Sequence, residues 1–262
     1  MSAFRLGLAA RVAVVTGASK GIGLAVVSAL VAEGAYVVAG ARHSSPELDK
    51  LAAGGAVRVV PVDLADPDGP ATLVAAAGDR IDILVNNVGS APVRIGGFLT
   101  VTDEQWLTTI NLNLLAAVRA TRAVLPFMLD GGRGSIVNVC SVNAVLADPN
   151  VIDYSAAKAA LANFSKSLAK EYGEDNIRVN TVSPGPVMTD LWLGADGVAA
   201  TVADATGGQA DDVVLKAAGD APLGRFTRPA EVADLVLLLA SDRTANVTGA
   251  DITVDGGLVP TW

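Results

Sequence analysis

Arg11-Val12-Ala13-Val14-Val15-Thr16-Gly17-Ala18-Ser19-Lys20-Gly21-Ile22-Gly23 is the stretch that decides the fold. Residues 11–16 are a short Val-rich run, the composition of a buried strand. Glycines then punctuate a turn, and residues 21–33 carry the Ala and Leu content of a helix. Glycines in such a turn let the backbone approach an anion at the positive end of the following helix. The spacing is Gly-x-x-x-Gly-x-Gly, which departs from the Gly-x-Gly-x-x-Gly fingerprint. Glycines alone would equally make a plain tight turn. The flanking strand and helix favour a pyrophosphate cradle made of Gly17, Ser19, Lys20, Gly21, Ile22 and Gly23.

Outward from this unit the rhythm repeats. Strands are expected at 36–40, 57–62, 81–85, 134–140, 177–182 and 251–254, and helices around 71–77, 102–129 and 151–172. Parallel neighbours need crossover helices on both faces. The reading is therefore α/β: a single Rossmann-type domain over 1–262, with a doubly wound seven-stranded parallel sheet and helices on both faces. Residues 187–224, rich in Gly, Ala, Asp and Thr, break the rhythm and are read as a mobile helical insertion.

A length of 262 residues suits one large α/β unit. With 51% apolar residues and only 4% aromatic ones, the core is expected to be built of Ala, Val, Leu and Ile. A net charge of -8 and scattered Lys and Arg give no footprint for nucleic acid or an anionic membrane. The single cysteine, Cys140, precludes an intramolecular disulfide. The single histidine, His43, lies in a polar stretch, which argues against a zinc site and against a serine, histidine and acid triad, so no metal is expected. Residues 1–10 lack a signal-peptide pattern and no apolar run is read as membrane-spanning, which makes the cytoplasm the expected location.

At the end of the second strand, an NAD-preferring dinucleotide site places an acid on the ribose 2′-hydroxyl. Here the sequence has Ala41 followed by Arg42. A guanidinium there, with Lys20 in the glycine loop, suits the 2′-phosphate of NADP. NADP(H) is the expected cofactor. NAD(H) stays open, since the alternative is that Arg42 and Lys20 are ordinary solvated charges.

Tyr154-Ser155-Ala156-Ala157-Lys158 falls early in the helix expected at 151–172, so the tyrosine and lysine share one face. A free phenol has a pKa near ~10, and a nearby ammonium lowers it, which makes the pair a candidate general acid and base. Ser141 stands at the carboxyl end of the preceding strand, where α/β sheets bind ligands.

Together with Asn86-Asn87-Val88-Gly89, Asn113, Pro184-Gly185 and the stretches Pro222-Leu223-Gly224-Arg225 and Val254-Asp255-Gly256-Gly257, these motifs resemble the short-chain dehydrogenase/reductase family over nearly the whole chain. The resemblance implies that Tyr154 is the proton donor or acceptor and that Ser141 orients the carbonyl oxygen. Lys158 would lower the tyrosine pKa and bond the nicotinamide ribose. Asn113 would hold a water in a proton relay, with Asn111 as its rival. Asp63 and Leu64 would border the adenine, Asn87, Val88 and Gly89 would line the cofactor backbone, and Pro184, Gly185, Val187 and Thr189 would contact the nicotinamide end. Val88 replaces the family's usual alanine, for which a local shift without loss of binding is expected. Cys140 reads as inert packing and Asp153 as a helix N-terminal charge.

By the same resemblance, 187–224 is a lid over the substrate. Its Trp192 either covers a largely apolar substrate or anchors the segment to the core. Asp196, Asp204, Asp211, Asp212 and Asp220 make the lid acidic, which disfavours acyl chains on acidic carrier proteins, while Arg119, Arg122 and Arg133 could supply a docking patch elsewhere. The expected activity is hydride transfer between NADP(H) and a secondary alcohol or ketone of small-molecule size. A 3-oxoacyl-carrier-protein reductase is the first alternative, then a non-catalytic dinucleotide-binding regulator. A Rossmann-like methyltransferase would leave Tyr154 and Lys158 without a role. The resemblance further implies a homotetramer packed through the two long helices, and the apolar residues 258–262 are expected at a subunit boundary or near the lid.

Overall fold

The opening Val-rich run forms β1 (Val12–Thr16), whose side chains alternate between two apolar layers. Val15 joins Val26, Val27 and Leu30 on one side, and Val14 joins Leu73, Val124 and Met128 on the other. Burial on both faces is what a central parallel strand requires. The computed structural model describes residues 6–261; residues 1–5, the start of the N-terminal stretch read above, and Trp262 lie outside them.

From β1 the chain passes through α1 (Gly21–Ala32), β2 (Tyr36–Ala41), α2 (Pro46–Ala53), β3 (Val57–Pro61), α3 (Gly69–Ala75) and β4 (Ile83–Asn86). It continues through α4 (Asp103–Ile110), a π-helical turn (Asn111–Leu115), α5 (Ala116–Asp130), β5 (Gly134–Val139), α6 (Ile152–Glu171) and β6 (Ile177–Pro184). The last elements are α7 (Asp190–Leu193), α8 (Val198–Thr206), α9 (Ala210–Gly219), α10 (Pro229–Ala240) and β7 (Asp251–Val254). The strands form one seven-stranded sheet in the order β3-β2-β1-β4-β5-β6-β7, parallel throughout. Apolar residues of α1, α2 and α10 pack on one face, and those of α3, α5 and α6 on the other. Strand order reverses between β1 and β4, which opens a crevice at the carboxyl ends.

Three differences from the sequence expectation have local causes. Helices α2 and α10, which the sequence reading does not include, both begin with proline in the first turn. Ser45 Oγ accepts from the Leu48 amide, and Glu231 accepts from the Arg228 amide. The helix expected at 102–129 is interrupted by the π turn, which one extra residue produces. This segment, Asp103–Asp130, is also long and apolar enough to cross a membrane, contrary to the reading that no run is. In the fold its Val124, Leu125 and Met128 pack into the sheet core.

Candidate active site

The strand ends open into a cleft of about 1160 Å³. Every site residue expected from the sequence lines it except Gly23 and Asn113. Gly23 lies behind the glycine loop: a Cβ there would stand 2.2 Å from the Gly17 carbonyl oxygen, so only glycine lets α1 start this close to the turn. The N-cap residue Lys20 does not cap the first turn of α1 with its side chain, which leaves amides there for an anion at the helix's positive end.

Asn87 fixes this loop to β4. Its Nδ2 donates to the Thr16 and Gly17 carbonyls at 3.0 Å each, and the Asn87 and Val88 amides donate to Thr16 Oγ1. Val88 packs against the apolar layer beneath, which accommodates the two methyl groups that distinguish it from alanine. On the neighbouring wall, Ala41 is buried and Arg42 exposed at the end of β2, with Asp63 and Leu64 beside them. Lys20 Nζ meets Asp190 Oδ2 at 3.1 Å, a pairing of two exposed side chains that tethers α7 only weakly to the loop.

Tyr154 and Lys158 lie on one face of α6. Lys158 is buried, its Nζ donates to the Val139 carbonyl at 2.9 Å, and it stands 5.6 Å from the Tyr154 ring centroid. The expected lowering of the tyrosine pKa is not what this arrangement produces. Burial pushes the Tyr154 hydroxyl up to about 12, opposed by its hydrogen bond with Ser141 and reinforced by neighbouring Cys140. Burial likewise holds the Lys158 ammonium below the usual lysine value. Ser141 Oγ donates to Asn143 Oδ1 and accepts from the Asn143 amide, both at 3.1 Å, so Asn143, unforeseen from the sequence, sets the serine hydroxyl.

Both asparagines lie in the π turn but turn to different partners. Asn111 is held by the Ala65 carbonyl and by Arg119, whereas Asn113 is buried, donates to the Ser90 and Thr109 carbonyls and accepts from the Ser90 amide. A Cβ on Gly89 would stand 2.6 Å from Asn113 Oδ1 and 3.6 Å from Lys158 Nζ, so these two groups flank the same glycine. Cys140 is buried beside them, its thiol donates to the Lys158 carbonyl, and burial pushes its pKa up.

Asp153 stands in the first turn of α6, as expected of a helix N-terminal charge, and is in addition paired across the fold. It is fully buried and receives hydrogen bonds from Arg94 and from Thr109 Oγ1. Arg94 lies in the segment after β4, and nothing local in the sequence marks it as the partner. In the expected lid, Trp192 packs edge-on against Phe226 with ring centroids 5.2 Å apart and also lines the cleft, so it anchors the segment and faces the cavity at once. The lid wall is mixed: Val198, Val202 and Val213 stand beside Thr206, Gln209 and Asp212.

A family model described as enoyl-(acyl carrier protein) reductase matches residues 17–259. The chain belongs to the short-chain dehydrogenase/reductase family. Among relatives of this oxidoreductase, the 3-oxoacyl-(acyl-carrier-protein) reductase FabG of Thermotoga maritima is 36% identical, covering 96% of this chain and 99% of its own. D-threitol dehydrogenase of Mycolicibacterium smegmatis is 37% identical over 97% and 95% of the two chains. The crystal structure of L-sorbose reductase from Gluconobacter frateurii, complexed with NADPH and L-sorbose, superposes with a TM-score of 0.90 at 34% identity, covering 99% of this chain and all of that one.

Proposed function

We propose that this short-chain dehydrogenase/reductase reduces a ketone, and oxidises the corresponding secondary alcohol, with NADP(H). The observation that carries the reading is the convergence of Ser141, Tyr154 and Lys158 on the cleft that also holds the glycine loop. The donors fit a dinucleotide bearing a 2′-phosphate: uncapped α1 amides for the pyrophosphate, Arg42 and Lys20 for the extra phosphate, and no carboxylate at the end of β2 to repel it. Asp63, Leu64, Val88 and Gly89 would line the cofactor's length, Lys158 would hold the nicotinamide ribose, and Pro184, Gly185, Val187 and Thr189 would border the ring. When bound, the nicotinamide supplies the hydride.

Ser141, with its hydroxyl set by Asn143, orients the carbonyl oxygen. Tyr154 holds its proton at neutral pH and donates it to that oxygen as charge develops there. Lys158 faces the tyrosine ring and would hold the nicotinamide ribose, and Asn113 connects Lys158 to solvent through a water.

For the substrate we propose a small hydroxylated ketone of sugar or polyol type, covered by α7 to α9 as a lid. Asn143, Asn150, Gln209 and Asp212 supply polar partners along the wall, and the names of the L-sorbose reductase and D-threitol dehydrogenase relatives support this class. A 3-oxoacyl thioester is the second reading, favoured by the FabG relative. The lid aspartates oppose it, and two of the arginines considered for docking are engaged, Arg119 with Asn111 and Arg133 with Asp242. A cytoplasmic homotetramer of one-domain subunits completes the proposal. Exposed Leu107, Leu115 and Leu129 on Asp103–Asp130 give that helix an apolar outer surface for a neighbouring subunit, and sedimentation as a monomer would overturn the assembly.

The test is oxidation of NADPH by the purified chain with a panel of ketoses, hydroxyketones and a 3-oxoacyl thioester. Turnover of hydroxyketones above the thioester supports the reading. Preference for the thioester transfers it to the second, and NADPH binding without turnover of any ketone leaves the non-catalytic regulator.

A further inference from the structure

The buried cluster of Arg94, Asp153 and Thr109 has no place in the chemistry just described, yet it ties together the elements that carry it. Arg94 Nε donates to the two Asp153 carboxylate oxygens at 3.1 and 3.3 Å, its Nη2 donates to Thr109 Oγ1 at 3.3 Å, and its amide donates to the Asn150 carbonyl. Thr109 Oγ1 donates to Asp153 Oδ2 at 2.7 Å, and the Tyr154 amide donates to Asp153 Oδ1 at 3.1 Å. The Thr109 carbonyl in turn accepts from Asn113 Nδ2. One connected network therefore runs from Asn113 in the π turn, through Thr109 and Asp153, to the backbone of Tyr154.

Each member has a chain neighbour on the cleft wall: Val93 beside Arg94, Thr108 beside Thr109, and Tyr154 beside Asp153. The cluster itself is withdrawn from the wall, with the Arg94 side chain 12% exposed and that of Asp153 0%. An ion pair in this position costs desolvation that offsets much of its Coulombic gain, so its stability is not the evident reason for it. Arg94 and Thr109 together hold the Asp153 carboxyl below its ordinary value although burial opposes them, so the charge persists at neutral pH. Cys140 acts electrostatically on the Tyr154 hydroxyl, whose hydrogen-bond partner is Ser141, and Lys158 faces the Tyr154 ring.

We propose that Arg94 and Asp153 are positioning residues for proton transfer: they fix the register between the π turn bearing Asn113 and the first turn of α6 bearing Tyr154 and Lys158. This rests on the reading of Tyr154 and Asn113 given above. Neither residue contacts the reacting atoms, so the effect passes through the placement of others. A misplacement of about 1 Å costs on the order of 10²-fold in rate.

The experiment compares Asp153→Asn, Arg94→Met and Arg94→Lys with the wild type for NADPH dissociation constant, KM, kcat and the pH profile of kcat on the best ketone substrate. The expected result is a loss of about 10- to 100-fold in kcat for Asp153→Asn and Arg94→Met, with the profile displaced along pH. NADPH affinity should stay within about 3-fold, and Arg94→Lys should recover part of kcat. Unchanged kcat and pH profile in Asp153→Asn overturn the proposal, as does a loss of kcat matched by an equal loss of NADPH binding. If Arg94→Met does not fold, Asp153→Asn and Arg94→Lys decide by the same criteria. Tyr154→Phe serves as the control: an active Tyr154→Phe sinks the reading of the site, whereas an inactive one beside an unaffected Asp153→Asn sinks only this inference.

Discussion

Lys158 Nζ lies 5.6 Å from the centroid of the Tyr154 ring while it donates to the Val139 carbonyl. The ammonium thus faces the ring, and burial prevails at the hydroxyl, whose pKa is pushed up to about 12. Its unfolded value is near ~10. A raised folded value means that this group's contribution to stability is fully present below about pH 10 and is lost as pH rises through about 12. Denaturant titrations across this alkaline window should show the wild type losing stability more steeply than Tyr154→Phe. The same variant should bind NADPH as the wild type does and lose about 10²- to 10⁴-fold in turnover. Near wild-type turnover would remove Tyr154 from the mechanism.

Arg42 is exposed on the cleft wall, and the position before it is a buried alanine. Arg42→Asp replaces a partner for a phosphate with one for a ribose hydroxyl. In the wild type NADPH should bind at least ~10-fold tighter than NADH, about 1.4 kcal/mol, and the variant should reverse the order. Fluorescence titration with both nucleotides checks this, and an unchanged ratio would show that Arg42 is a solvated charge.

The sheet was legible because its central strands are apolar runs buried on both faces, and the glycine loop, Ser141, Tyr154 and Lys158 meet in the cleft at the strand ends. Three features escaped. Asp153 stands in the first turn of α6 as expected, but its pairing with Arg94, 59 residues away, is invisible in the sequence because a pairing across elements leaves no periodic trace. The sign of the Tyr154 shift escaped because spacing along a helix reports proximity to Lys158 but says nothing of how deeply the hydroxyl is desolvated. The mixed wall of the lid was equally hidden, since composition over 187–224 does not say which side chains turn inward.

Cys140 adjoins Ser141, but its thiol is buried and its pKa is pushed up by that burial. Thiolate is the reactive form, so the native enzyme should resist an aromatic disulfide reagent at neutral pH and release one equivalent of reactivity only on denaturation. Cys140→Ala should retain turnover within about 3-fold, the loss being confined to packing. Rapid modification of the folded enzyme, with activity lost in parallel, would give this sulfur a role that its surroundings argue against.

Gly89 separates Asn113 from Lys158, and a methyl group there would stand 2.6 Å from Asn113 Oδ1. That oxygen cannot simply retreat, because it accepts from the Ser90 amide while its Nδ2 is held by the Ser90 and Thr109 carbonyls. Gly89→Ala should therefore displace the asparagine, lower the melting temperature and reduce kcat by about 10²-fold, a misplacement effect. Adding Asn113→Ala removes the atom that clashes, so the double variant should recover thermal stability. It should recover no turnover, because the relay group has then been deleted. The two single variants are in direct contact and should be strongly non-additive in stability. If the double variant instead regains wild-type kcat, Asn113 carries no proton and Gly89 serves packing alone.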